Sequence, residues 1–204
     1  MKIVVALLLL LLVHDSMAQN EQPFFPQQDL DAYNYRMQQI TRNGMYSLTG
    51  WAAANIVSGA IAAPLSSGGQ RYFHIMNASW NVVNLAIGIP GIITASKREN
   101  VRGLQLGKTR NNQRQQEQLF LINAGLDFAY MGAGAALWGF SNRVSRQQEL
   151  MTGFGQSLLL QGGFLLIFDW TMYALHTQHA NKKSNKYISG LACTGAGFSY
   201  RLAF

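Results

Sequence analysis

Two aspartates, Asp127 and Asp169, are the only acids inside the long apolar stretches of this chain. A charged side chain at the middle of a hydrocarbon layer costs on the order of 2.5–3.5 kcal/mol on insertion scales. Groups kept at that cost serve a proton, a cation or a small polar ligand, or they clasp helices together by hydrogen bonds. Each acid is followed within one helical turn by a tyrosine, Tyr130 after Asp127 and Tyr173 after Asp169. Asn55, Asn77, Asn81, Asn84 and Asn123 supply amides that can donate to a carboxyl group. Together these nine residues form a candidate polar layer within a membrane.

Other chemistry has less to stand on. His74 opens one apolar stretch and His176 ends another, so the two fall on opposite sides of a membrane. His176 and His179 lie three apart, with no third ligand except Asp169, so no metal site is assigned. A G-x-S-x-G elbow and a P-loop are both missing. The single cysteine, Cys193, has no partner for an intramolecular disulfide. No catalytic residue and no cofactor follow, and the chain does not read as an enzyme.

The asparagines recur with a helical period. His74, Asn77, Asn81, Asn84, Gly88 and Gly91 are spaced by three and four, which places them on one face. The other faces carry Ile75, Met76, Val82, Val83, Leu85, Ile87 and Ile89. A helix that is apolar outside and rich in amides along one stripe belongs in a bundle surrounded by lipid.

Four stretches have the length to cross a hydrocarbon core of about 30 Å: 45–65, 72–95, 118–140 and 153–176. A soluble four-helix bundle would need a charged outer face on each helix, and none of the four has one. Charged residues make up 12% of the chain, against roughly 25% in soluble domains. The expected fold is an all-α membrane protein with four antiparallel transmembrane helices after a signal peptide.

The flanking segments complete the plan. Met1 to Ala18 reads as a secretory signal peptide, with Lys2, an apolar run from Ile3 to Val13, and small residues before Gln19. Such a start points to an exported bacterial protein. Residues 19–44 form a polar exported segment, with a helix expected over Asp29 to Arg42. The four-helix domain covers 45–176. Residues 177–204 form a basic tail, in which Phe198, Tyr200, Leu202 and Phe204 alternate as in a short strand.

The net charge of +7 concentrates at one end. The loop 97–117 carries Lys97, Arg98, Arg102, Lys108, Arg110 and Arg114. Without interleaved aromatics it suits anionic lipid headgroups or a protein partner, not nucleic acid. This charge conflicts with the signal peptide. A cleaved signal puts the loop outside the cytoplasm, whereas the positive-inside rule puts it within.

Trp51-x3-Asn55-x3-Gly59 recurs as Trp80-x3-Asn84-x3-Gly88, as if the first two spans were an old duplicated pair. With sequential spans running up and down, Asn55, Asn84, Asp127 and Asp169 fall within roughly 6 Å of one depth at about 1.5 Å per residue. His74 to Asn84, HIMNASWNVVN, resembles an uncharacterised family of small bacterial four-helix membrane proteins. That resemblance implies no activity, substrate or cofactor. The function expected is an integral, multi-pass protein of a bacterial membrane, the inner one, in a structural or interaction role within the lipid bilayer. The alternative is a small transporter or proton-coupled channel using the Asp/Asn layer. A cavity reaching both acids favours the alternative, and a dry packed layer favours the structural role.

Overall fold

The computed structural model describes residues 26–188. The signal peptide expected over 1–18, Cys193 and the strand expected in the alternating run 198–204 lie outside the described residues. Four long helices make up the rest: α1 Gln27–Leu65, α2 Gly68–Glu99, α3 Leu106–Phe140 and α4 Gln148–Ile188. Two single turns of 3-10 helix, Ser141–Arg143 and Ser145–Gln147, join α3 to α4. No strand occurs among the described residues. All four helices are long and apolar enough to cross a membrane.

The helices run further than the apolar stretches require. Spanning takes about 20 residues, and these helices have 39, 32, 35 and 41. The helix expected at 29–42 and the stretch at 45–65 are one unbroken α1. Gly44 does not interrupt it, and a Cβ there would meet the side chain of Met172 of α4. Glycine at this point serves close packing instead of a break. The loop expected over 97–117 shrinks to 100–105. Gly103, at φ +73°, turns the chain there, and its N–H donates to Asp31 Oδ1 at 2.9 Å. Early α3 residues are helical because Thr109 and Gln113 find partners in the bundle. The tail remains helical beyond His176 as far as Ile188.

Burial is inverted relative to a soluble bundle. Val57, Ile61, Ile122, Phe128 and Ile167 are exposed, the last by 70%, whereas Asn81, Gln161, Asp127 and Asp169 are buried. A water-soluble domain keeps its polar groups outside and its large apolar side chains within. Small residues bring the backbones together. A Cβ on Gly59 would meet Ala78 Cβ at 2.7 Å, holding α1 on α2. One on Gly134 would meet the carbonyl oxygen of Gly155 at 2.8 Å, holding α3 on α4.

Close packing is uneven around the bundle. Helices α1 and α2 are tightly joined, as are α3 and α4, and α4 also packs on α2. No Cα of α2 comes within 8 Å of a Cα of α3. The apolar core of Met45, Leu48, Phe120, Leu165, Phe168 and Met172 lies beside that gap.

Candidate functional site

The amide stripe of α2 turns inward as its spacing predicts, and Asn77, Asn81 and Asn84 are all buried. Asn77 Nδ2 donates to Asn55 Oδ1 of α1 at 2.8 Å, and Asn55 Nδ2 donates to the Trp51 carbonyl at 2.8 Å. Trp51 Nε1 donates to Gln161 Oε1 of α4 at 3.1 Å, and Gln161 Nε2 donates to Asn77 Oδ1. The donors close a ring through three helices. Asn81 Nδ2 bonds the Asn77 carbonyl, and Asn84 Nδ2 bonds Asn81 Oδ1 at 3.1 Å, extending the ring along α2. Trp51 also stacks on Phe164 at 3.9 Å, which fixes its indole against α4. Gln161 and Trp51 are the members that reading the sequence missed. Gln161 is polar within an apolar run, and that was the available signal.

The acids sit on α3 and α4, at a cavity that Asn84 of the stripe also reaches. Asp127 and Asp169 line that cavity together, with Asn123 beside them. A carboxylate has no donor, so contact between two carboxyl groups needs a proton on one of them. Both residues are nearly inaccessible, and Asp127 Oδ2 has no hydrogen-bond partner. A buried acceptor left unpaired is uncommon and calls for an explanation.

The cavity measures about 170 Å³. Asn84, Asn123, Asp127, Tyr130 and Asp169 form its polar part. Met45, Leu48, Leu165 and Phe168 form an apolar inner wall. Its outer lips are Val83 and Ile87 on α2 and Leu119 and Leu126 on α3, all four exposed at least in part. Trp80 and Tyr130 meet edge to face at 4.9 Å and bridge the lips at one end. Room of this size holds several waters or a small organic group.

The nine residues of the expected layer therefore divide. Five surround the cavity, and Asn84 is the one that also belongs to the ladder. Asn55, Asn77 and Asn81 stay in the ladder. Tyr173 joins neither, packing against the apolar core and tilted on Trp170 at 5.9 Å. Asn55 pairs with Asn77, not with the acids.

A third polar group lies beyond the apolar stretches, at the end where α1 begins. Tyr33 OH donates to Gln113 Oε1 at 2.9 Å, and Gln113 Nε2 lies 2.9 Å from the His176 carbonyl and 2.8 Å from Glu117 Oε1. Thr41 Oγ1 lies 3.3 Å from His176 Nε2, and Asn34 donates to Thr109 Oγ1 at 2.8 Å. Burial, with the Glu117 carboxylate adding to it, raises the Tyr33 hydroxyl well above its ordinary range. Arg42 and Glu99 form an ion pair at the same end. No group of three or more metal-ligating side chains gathers among the described residues.

Residues 47–170, more than half the chain, match the family of unknown function DUF6992. The chain belongs to DUF6992. The DUF6992 stretch contains the whole ladder, both acids and the cavity's polar residues, and it stops short of Tyr33, Thr41 and His176. No curated protein and no solved structure matches the chain.

Proposed function

We propose that this protein crosses the bacterial inner membrane four times, with antiparallel helices, and binds a small ligand in an acid-lined cleft within the bilayer. Helix length, apolar exterior and buried amides support the membrane placement. Partner residues support the antiparallel course: Gly59 faces Ala78 while Gly88 faces Thr49, so the numbering runs in reverse along the α1–α2 seam. The observation that carries binding is the cavity that reaches both Asp127 and Asp169. The structural role goes to the ladder, where every side-chain amide has a partner.

Infrared spectroscopy of the protein in lipid nanodiscs tests this reading. A protonated carboxyl band should shift within seconds of transfer to deuterated buffer and should change in Asp127→Asn. The backbone amides of α2 should exchange far more slowly. A carboxyl band exchanging as slowly as those amides would mean a sealed clasp and no binding cleft. Two fully ionised carboxylates would remove the protonated group.

The basic end is proposed to rest on anionic headgroups. Lys97, Arg98, Arg102, Lys108 and Arg110 cluster around the α2–α3 connection, all but Arg102 on helical turns beside it. The signal peptide supports an exported position for this end. Gln105 is exposed. Gln105→Cys in a Cys193→Ser background should react with an impermeant thiol reagent on intact cells. Reaction only after lysis would reverse the orientation.

A further inference from the structure

We propose that the cleft takes a lipophilic amine, a protonated ammonium on an apolar body, which enters sideways from the bilayer between α2 and α3. This rests on the binding reading above and names the ligand class for that same cleft.

Charge comes first. The cavity lining contains two acids and no lysine, arginine or histidine. An ammonium neutralises the charge that a carboxylate brings to the cavity. An anion would find no cationic partner. Asp127 Oδ2 lacks a hydrogen-bond partner, and an N–H donor is what that atom is missing. The rings of Trp80 and Tyr130 stand at the same cavity, and aromatic faces attract ammonium groups.

Shape and surroundings come next. A bare inorganic cation such as sodium or calcium needs a shell of oxygen ligands. Here the larger share of the lining is hydrocarbon, from Met45, Leu48, Leu165 and Phe168 within to Val83 and Leu126 at the lips. That surface suits an alkyl or aromatic body attached to the charged head. The route follows from the packing. The backbones of α2 and α3 stay apart along their length, while α4 closes on both. Val83 and Ile87 are 56% and 55% exposed, so the lips face the surroundings of the bundle instead of a neighbouring helix. An amphiphile dissolved in the bilayer reaches the acids through that gap without crossing the basic end.

The test uses the full chain in phosphatidylcholine nanodiscs, whose zwitterionic lipid does not concentrate amines by charge. The probe is a decylamine with a diazirine in its chain, alongside decanol and decanoate bearing the same diazirine. Adducts are mapped by mass spectrometry. The amine should label both lips, within 80–87 and 119–130, and excess octylamine should suppress it. Labelling should fall roughly tenfold or more in the Asp127→Asn, Asp169→Asn double variant, the loss of a charge-assisted hydrogen bond. Val83→Trp leaves both acids in place and should also abolish lip labelling by filling the mouth. Thermal unfolding of each variant confirms that it is folded. Equal labelling of the lips by decanol, unchanged in the double variant, would overturn the amine while leaving a ligand-accessible cleft. Amine adducts spread over all outer faces would overturn lateral entry, and displacement by sodium chloride would point to an inorganic cation instead.

Discussion

The ladder and the cleft use similar polar residues to opposite ends. In the ladder Asn55, Asn77, Gln161 and Trp51 close a ring in which each side-chain donor meets an acceptor across three helices. In the cleft Asp127 keeps an unpaired oxygen beside an open space. The backbone explains the contrast. Small residues let α1 approach α2 closely enough for short amides to reach across, as at Gly59 and Ala78. Between α2 and α3 no such approach exists, so side chains of the same size leave a cavity. Complete pairing makes a clasp, and incomplete pairing in a space makes a binding site.

The largest effect should come from breaking the ring. Asn77→Leu strands Asn55 Oδ1 and Gln161 Nε2 in a buried place, and about 2–3 kcal/mol of stability should be lost. Unfolding in mixed micelles by rising dodecyl sulfate measures it, with the exposed Val82→Leu as reference. Equal stability of the two variants would mean that the ring does not hold the helices. Asn84→Leu removes a single donor to Asn81, so a loss of about 1 kcal/mol is expected in the same assay. Asp127→Asn and Asp169→Asn should each change stability by less than about 0.5 kcal/mol, because an amide can donate to the remaining carboxyl. A larger loss at either acid would turn the cleft into a second clasp and erase the contrast.

Tyr33 extends the comparison beyond the apolar zone. Its folded-state pKa is raised, so the fold favours the neutral hydroxyl. The sign follows: this stabilisation is complete below the unfolded value of about 10 and fades as pH climbs above it. Alkaline unfolding followed by circular dichroism should show that loss, and Tyr33→Phe should flatten it.

Much of this was legible beforehand, and for identifiable reasons. Asn77, Asn81 and Asn84 announce an inward face because three-and-four spacing has one geometric meaning on a helix. Asp127 and Asp169 are conspicuous because charge is scarce around them. Depth was harder. Counting forward from Met45 and back from Ala95 places Asn55 level with Asn84, whereas Asn55 meets Asn77 about two turns away. Apolar runs mark where hydrocarbon suits the chain, not where a helix starts, and α1 starts at Gln27. For the same reason Tyr33, Gln113 and His176 escaped notice as a group. Asn34, Gln38 and Thr41 share a face by the same spacing rule, but they lie where a separate exported segment was expected. Tyr173 was placed by its spacing from Asp169, although a turn of helix leaves room to face the apolar core instead.

The continuity of α1 has a mechanical side. Leu48 lines the cleft, and Gln27 lies 21 residues away on the same unbroken helix, about 31 Å at ~1.5 Å per residue. A rod of that length is a lever. Tilting it by about 5° at Leu48 carries Gln27 through nearly 3 Å, a distance comparable to a hydrogen bond. Gln27 touches Leu104, and Asp31 holds Gly103, both in the connection between α2 and α3. The two helices that form the lips of the cleft are thus tethered, at their far ends, to the tip of a helix that supplies Met45 and Leu48 to its inner wall.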